Sequence, residues 1–186
     1  MAAQGKKKKY LTKAALARKL AGIEALILDV DGVLTDDSLY VGPDGFELKR
    51  FNIGDGLNMV LARRAGLEII IMSNRPSAAT TSRMKDLRIK HVIQGYGNKA
   101  RLVREYFDKN KIRIDFSRCA FMGNDIMDLP LMQEVGIKIC VKDAYPQLKV
   151  IVDYVTDKKG GYGAIREIID LYFKGRRLYP ADLLHQ

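Results

Sequence analysis

Hydrophobic positions in this chain fall into short solid runs separated by stretches of helical spacing. Residues 25–30, 68–72, 91–94, 119–122 and 137–141 are runs of strand length, with Tyr154-Val155 as a sixth. They are nearly continuous rather than alternating, so each is expected to be buried on both faces, as in a parallel sheet. Between them the period changes. Residues 56–65 carry Leu57, Val60, Leu61 and Ala65, and residues 99–110 carry Leu102, Val103, Tyr106 and Phe107. Residues 78–87, 129–135 and 165–173 complete the helices, and 11–21 form a shorter one ahead of the first strand. Strand alternating with helix predicts an α/β fold, a doubly wound parallel sheet. Such sheets bind ligands beyond the carboxyl ends of their strands. Chemically useful residues are therefore expected directly after each strand.

They fall there. The first strand runs into Asp29-Val30-Asp31-Gly32-Val33-Leu34-Thr35. Two carboxylates two residues apart point the same way if strand geometry continues, and repel unless a cation or shared proton intervenes. The second strand runs into Ser73-Asn74-Arg75, where the serine alone would also suit a helix cap. Lys99 opens a helix after Gly95-Tyr96-Gly97-Asn98. A positive charge there opposes the helix dipole, so its placement needs a further reason. The fourth strand ends in Gly123-Asn124-Asp125-Ile126-Met127-Asp128, a loop of hard oxygen donors suited to Mg²⁺.

In this order the four strings resemble the motifs of the haloacid dehalogenase superfamily. The resemblance implies that Asp29 attacks phosphorus and becomes an aspartyl phosphate. Asp31 would protonate the leaving alcohol and later activate water. Ser73, Asn74 and Lys99 would hold the phosphoryl oxygens, the lysine by neutralising charge. A Mg²⁺ cofactor would sit among Asp29, Asp31 through its carbonyl, Asn124 and Asp125. One position departs from the pattern. An Asp usually follows the glycine of the fourth motif, and here Asn124 stands there. Its amide oxygen can ligate magnesium without formal charge, and Asp125 or Asp128 is available to compensate.

Spacing narrows the branch. About 40 residues separate Asp31 from Ser73 and about 25 separate Ser73 from Lys99. Once the helices are placed, neither interval holds a separate cap domain, which needs roughly 50 residues. Beyond Asp31 the chain instead forms a projecting β-hairpin. Residues 38–41 and 46–51 flank Gly42-Pro43-Asp44-Gly45, whose Pro and last Gly fit a type I turn. A lone hairpin is marginal in water, and this one carries Leu39, Tyr40, Val41, Phe46, Leu48 and Phe51. Either it folds onto its own domain as a flap, or hairpins of several subunits pair and bury one another. With Phe51-Asn52-Ile53-Gly54-Asp55-Gly56 and Gly160-Gly161-Tyr162-Gly163, it resembles the 3-deoxy-D-manno-octulosonate 8-phosphate phosphatases, over roughly residues 20–175. That resemblance implies an acidic sugar phosphate substrate, a place in lipopolysaccharide biosynthesis and a homotetramer built on hairpins. It also implies substrate contacts from Asp55 and Arg75. The branch commonly has Arg where this chain has Gly54, and Gly where it has Asn74. Three alternatives stand beside it: a nonulosonate 9-phosphate phosphatase, the related domain fused to sialate cytidylyltransferases, and a catalytically weakened oligomerisation or regulatory module.

Charge changes the picture less than its size suggests. The net charge is +10, but residues 1–20 carry seven basic residues and no acid, and residues 174–186 add three bases against one acid. The body between is close to neutral, which argues against a nucleic-acid-binding face. The lysine run 6–9 reads as a solvated tail. The expected organisation is a basic extension over 1–20 with a short helix, a phosphatase domain over 21–175 and a tail over 176–186. No apolar run is long enough to span a bilayer, and the N-terminus lacks a signal-peptide pattern. Two cysteines give no disulfide framework and suit a reducing cytoplasm.

Overall fold

The computed structural model describes residues 10–184; the lysine run 6–9 lies outside them. In chain order the strands are β1 (Ala25–Leu28), β2 (Tyr40–Val41), β3 (Glu47–Leu48), β4 (Glu68–Ser73), β5 (His91–Gln94), β6 (Cys119–Gly123), β7 (Ile137–Cys140) and β8 (Tyr154–Val155). The helices are α1 (Lys13–Leu20), α2 (Ile53–Arg64), α3 (Ala78–Asp86), α4 (Lys99–Lys109), α5 (Leu129–Met132), α6 (Pro146–Ile151) and α7 (Ala164–Arg176).

The six apolar runs make one parallel sheet in the order β5-β4-β1-β6-β7-β8. Ala25, Leu26, Ile27 and Leu28 of β1 are all buried, as the unalternating pattern requires of a central strand. From β1 the chain moves outward through β4 to β5, then returns to the far side of β1 for β6, β7 and β8. The order therefore reverses beside β1, and a doubly wound sheet opens its binding crevice at such a point. Between β1 and β4 lie only the hairpin and α2, and between β4 and β5 only α3, so no separate cap domain forms.

Helix α1 belongs to the packed body. Leu16, Ala17 and Leu20 are buried, and α1 lies against α7. Gly175 permits this approach, because a Cβ there would sit 2.0 Å from the Ala17 carbonyl oxygen. At the other end, Leu183 is buried and Arg64 Nη1 donates to the carbonyls of Leu183 and Leu184, both at 2.9 Å. Helix α2 starts three residues before its apolar period because Asn52 caps it, accepting from the Asp55 N–H at 3.0 Å. Helix α6 was not legible: it is too short to show a period, and Pro146 opens it.

The hairpin turn differs from the type I expectation over 42–45. The tight turn is Pro43 to Phe46, closed by the Phe46 N–H on the Pro43 carbonyl at 3.3 Å. Its central residues Asp44 and Gly45 both have positive φ, 60° and 77°. This is the mirror-image geometry that Asp-Gly favours, because its twist matches that of the paired strands.

Candidate active site

The site begins where β1 ends. The Asp29 N–H still pairs with the Met122 carbonyl at 3.0 Å, and the chain then leaves the sheet. Gly32, at φ 77°, turns it back, and the Thr35 N–H closes the turn on the Val30 carbonyl at 3.1 Å. Gly32 is required twice, by its φ and because a Cβ would lie 2.0 Å from Asn124 Nδ2. Asp29 and Asp31 therefore share a cleft through this turn and not through continued strand alternation, which stops at Leu28.

Four strand ends meet in that cleft, a cavity of ≈ 150 Å³ lined by Asp29, Asp31, Asp37, Ser73, Asn74, Arg75, Lys99, Asn124, Asp125 and Met127. Every residue expected to act on phosphate or metal lies here. Lys99 is buried, with Nζ 2.8 Å from Asp29 Oδ1 and 2.5 Å from Asp128 Oδ1. These two carboxylates supply the reason for a lysine at a helix start. Burial works against its charge, but Asp29 and Asp128 outweigh that and raise its pKa. Burial and the neighbouring Asp128 push the Asp29 carboxyl up to about 7, although Lys99 pulls it down. The buried cluster thus holds more negative charge than one ammonium can balance.

Asp128 also organises the loop after β6. Its Oδ2 accepts from the backbone N–H of Asn124 at 2.8 Å and of Asp125 at 3.1 Å. Asp125 caps the following turn at the Ile126 N–H. Asn124 Oδ1 is left buried without a hydrogen-bond partner. An orphaned oxygen beside surplus negative charge is what a hard cation would satisfy. The donors fit magnesium: Asp29, the Asp31 carbonyl, Asn124 and the exposed Asp125. Among the described residues no three His, Cys, Asp or Glu side chains cluster as a metal site.

Residues 89–169 match the haloacid dehalogenase-like hydrolase family. The chain is 40% identical over 153 residues to the 3-deoxy-D-manno-octulosonate 8-phosphate phosphatase of Salmonella typhi, covering 82% of this chain and 80% of that one. The chain belongs to the 3-deoxy-D-manno-octulosonate 8-phosphate phosphatase family. The crystal structure of that phosphatase from Yersinia pestis matches with TM-score 0.82 and 34% identity, over 87% of this chain and 86% of the other. The Moraxella catarrhalis phosphatase, solved with a magnesium ion, a phosphate ion and a KDO molecule, matches with TM-score 0.83 and 33% identity. That match covers 91% of this chain and 97% of the other.

For a member of this phosphatase family, several side chains sit in unexpected roles. Asn74 lines the cleft, but its Nδ2 donates to the Gly97 carbonyl at 2.9 Å and its Oδ1 is an unpartnered acceptor. Its side chain ties the loop after β4 to the turn before α4 with one of its two N–H donors, and the second stays available in the cleft. Ser73 Oγ accepts from the Arg75 N–H and donates to the Arg75 carbonyl, both at 3.1 Å. Arg75 faces Asp31, Nε to Oδ2 at 3.7 Å, and pairs through Nη1 with Glu47 Oε2 at 2.5 Å.

Asp55 does not join the cleft, which corrects the expected substrate contact. It is buried, and its oxygens accept from the N–H of Gly163 at 3.2 Å and of Arg166 at 2.7 Å. It caps the N-terminus of α7 from a neighbouring helix, satisfying donors that α7 cannot satisfy itself. Nothing local in Phe51-Asn52-Ile53-Gly54-Asp55-Gly56 signals this, because the partner is over a hundred residues away. Beside it, Arg166 approaches Gly54, with Nη1 3.6 Å from where a Cβ would stand. Lys49 was also missed. It reaches Asp31 from the hairpin, with Nζ 2.7 Å from Oδ1.

Proposed function

We propose that this chain is a magnesium-dependent phosphatase that hydrolyses 3-deoxy-D-manno-octulosonate 8-phosphate through an aspartyl phosphate. The observation that carries this reading is the pairing of Asp29 with Lys99 in the same cleft as Asp31, at the switch point of the sheet. Lys99 holds Asp29 Oδ1, leaving Oδ2 to form the bond to phosphorus. Asp31 gives its proton to the departing sugar oxygen and then takes one from the attacking water. Lys99, Ser73 and the backbone beside Asn74 face the phosphoryl group, where positive charge and donors stabilise the transition state. Magnesium, when held by Asp29, the Asp31 carbonyl, Asn124 and Asp125, supplies charge neutralisation at the phosphoryl oxygens. The family relatives favour the eight-carbon over the nine-carbon sugar acid. The assembled cleft weighs against a module without activity.

Phosphate release from octulosonate 8-phosphate and nonulosonate 9-phosphate, with and without a chelator, tests the reading. The eight-carbon ester is expected to be turned over, and chelation to stop it. Preference for the nine-carbon ester would overturn the substrate, and release from neither would overturn the activity. Asn124→Asp restores a formal charge to the donor set and is expected to tighten magnesium by about an order of magnitude. Titration calorimetry showing unchanged affinity would remove Asn124 from that set.

The hairpin supports assembly into a homotetramer. It exposes Tyr40 at 59%, Val41 at 67%, Phe46 at 63% and Leu48 at 54%. An apolar edge of this kind invites pairing with another copy. Phe46→Glu is expected to shift sedimentation from tetramer to monomer; a wild-type monomer at micromolar concentration would refute the assembly. No helix among the described residues is long and apolar enough to cross a membrane. A cytoplasmic setting is supported by two buried, unbridged cysteines.

A further inference from the structure

The second hairpin strand presents its two faces in an inverted sense. Phe46 and Leu48 point to solvent, while Glu47 and Lys49 point back at the domain. Alternation along an extended strand puts 47 and 49 on one face, so seating one seats the other. Glu47 is held by Arg75 and by the Ser77 hydroxyl. The Lys49 side chain is 0% exposed, and Nζ lies 2.7 Å from Asp31 Oδ1 and 3.4 Å from Thr80 Oγ1. Burying an ammonium is costly, and here the Asp31 carboxylate is its charged partner.

The two oxygens of Asp31 are consequently unequal. Lys49 Nζ contacts Oδ1 at 2.7 Å, whereas Arg75 Nε approaches Oδ2 at 3.7 Å, beyond hydrogen-bond reach. A carboxylate turning freely would offer either oxygen to the substrate. We propose that Lys49 is the positioning residue for Asp31: it fixes Oδ1 and leaves Oδ2 as the oxygen that carries the proton. This rests on the phosphatase reading. In the first step Asp29 bonds to phosphorus, the phosphorus–sugar oxygen bond breaks, and the proton on Oδ2 passes to that oxygen. In the second, Oδ2 takes a proton from water, the water oxygen bonds to phosphorus, and the bond to Asp29 breaks. Lys49 touches neither phosphorus nor sugar in this scheme. It makes the hairpin part of the proton-transfer machinery of its own chain.

The test uses p-nitrophenyl phosphate and the full-length, magnesium-loaded enzyme. Nitrophenolate leaves without a proton, so the first step no longer needs Asp31 as acid, while the second still needs it as base. Lys49→Met is expected to release a rapid burst of nitrophenolate close to one per site. Steady turnover is then expected to fall about 10–100-fold with KM little changed. Lys49→Arg is expected to recover most of that loss. Adding Lys49→Met to Asp31→Asn is expected to change turnover little further, because the lysine acts through the carboxylate. A merely structural tie would lower burst and steady rate together, and a direct substrate contact would raise KM with kcat intact; either result overturns the proposal. So does a Lys49→Met enzyme indistinguishable from wild type. If Lys49→Met does not fold, Lys49→Gln carries the same comparison. A wild-type enzyme that releases phosphate from neither this ester nor the sugar phosphates overturns the phosphatase reading itself.

Discussion

Asp29→Asn is expected to lose phosphate release by at least about 10⁴-fold and, with metal removed, to be more stable than the wild type. The loss follows from the proposed role of Asp29 as nucleophile: an amide in that place forms no aspartyl phosphate. The gain in stability comes from burial. The folded carboxyl titrates at about 7 against an ordinary value of 3.8. Between those values the unfolded chain has released the proton and the folded chain has kept it, so stability falls as pH rises through this range. Above about 7 the cost is fully present; below about 4 it is absent. Asn removes the group that ionises. The metal-free variant is therefore expected to exceed the wild type at pH 8 by on the order of 2 kcal/mol, or about 6 °C for a chain of this size. The difference vanishes toward pH 4. Thermal melts in chelator at both pH values check it. Equal melting temperatures at pH 8 would show that Asp29 bears no burial cost.

Lys99→Met carries the second large effect, in the opposite direction for stability. Lys99 is the ammonium shared by Asp29 Oδ1 and Asp128 Oδ1, and all three side chains are almost wholly buried. Removing it leaves two carboxylates facing each other without a cation. Breaking a buried pair this way costs roughly 3–5 kcal/mol, which is on the order of 10 °C in melting temperature. Activity is expected to be lost as well, because the same ammonium lines the cleft proposed to take the phosphoryl group. The sign with pH is fixed: the Asp29 carboxyl, already raised by burial, loses the cation that pulls it down and takes its proton more readily as pH falls. The deficit is therefore expected to be largest at pH 8 and smaller at pH 5. Magnesium should recover part of it by supplying charge to Asp29. Denaturant unfolding at the two pH values separates these effects, and a deficit that grows on acidification would contradict the pairing. Lys99→Arg keeps the charge but not the compact ammonium, and is expected to fall between wild type and Met in stability.

Much of the site was legible because its residues come directly after strands. The unbroken apolar runs of β1, β4 and β6 place Asp29, Ser73 and Asn124 at carboxyl ends, and parallel strands bring those ends to one rim. Lys99 was legible through its conflict with the helix dipole. Partners separated by long stretches of chain could not be read. Asp55 looked available to substrate and instead caps α7. Asn74 lines the cleft as the motif order implies, and its tie to the turn before α4 through the Gly97 carbonyl was not readable. Asp128 looked like a spare metal ligand and instead holds the Asn124–Asp125 loop and Lys99 together.

By itself the sequence determined the six parallel strands, the longer helices and the order of the motifs, because strand burial and helical period are set by neighbours a few positions away. The tertiary structure alone decided which charges meet. Lys49 finds Asp31 and Lys99 finds Asp128 only after the crossovers are wound and the hairpin is seated. An ion pair depends on distance in space, and spacing along the chain does not specify that distance once the fold intervenes.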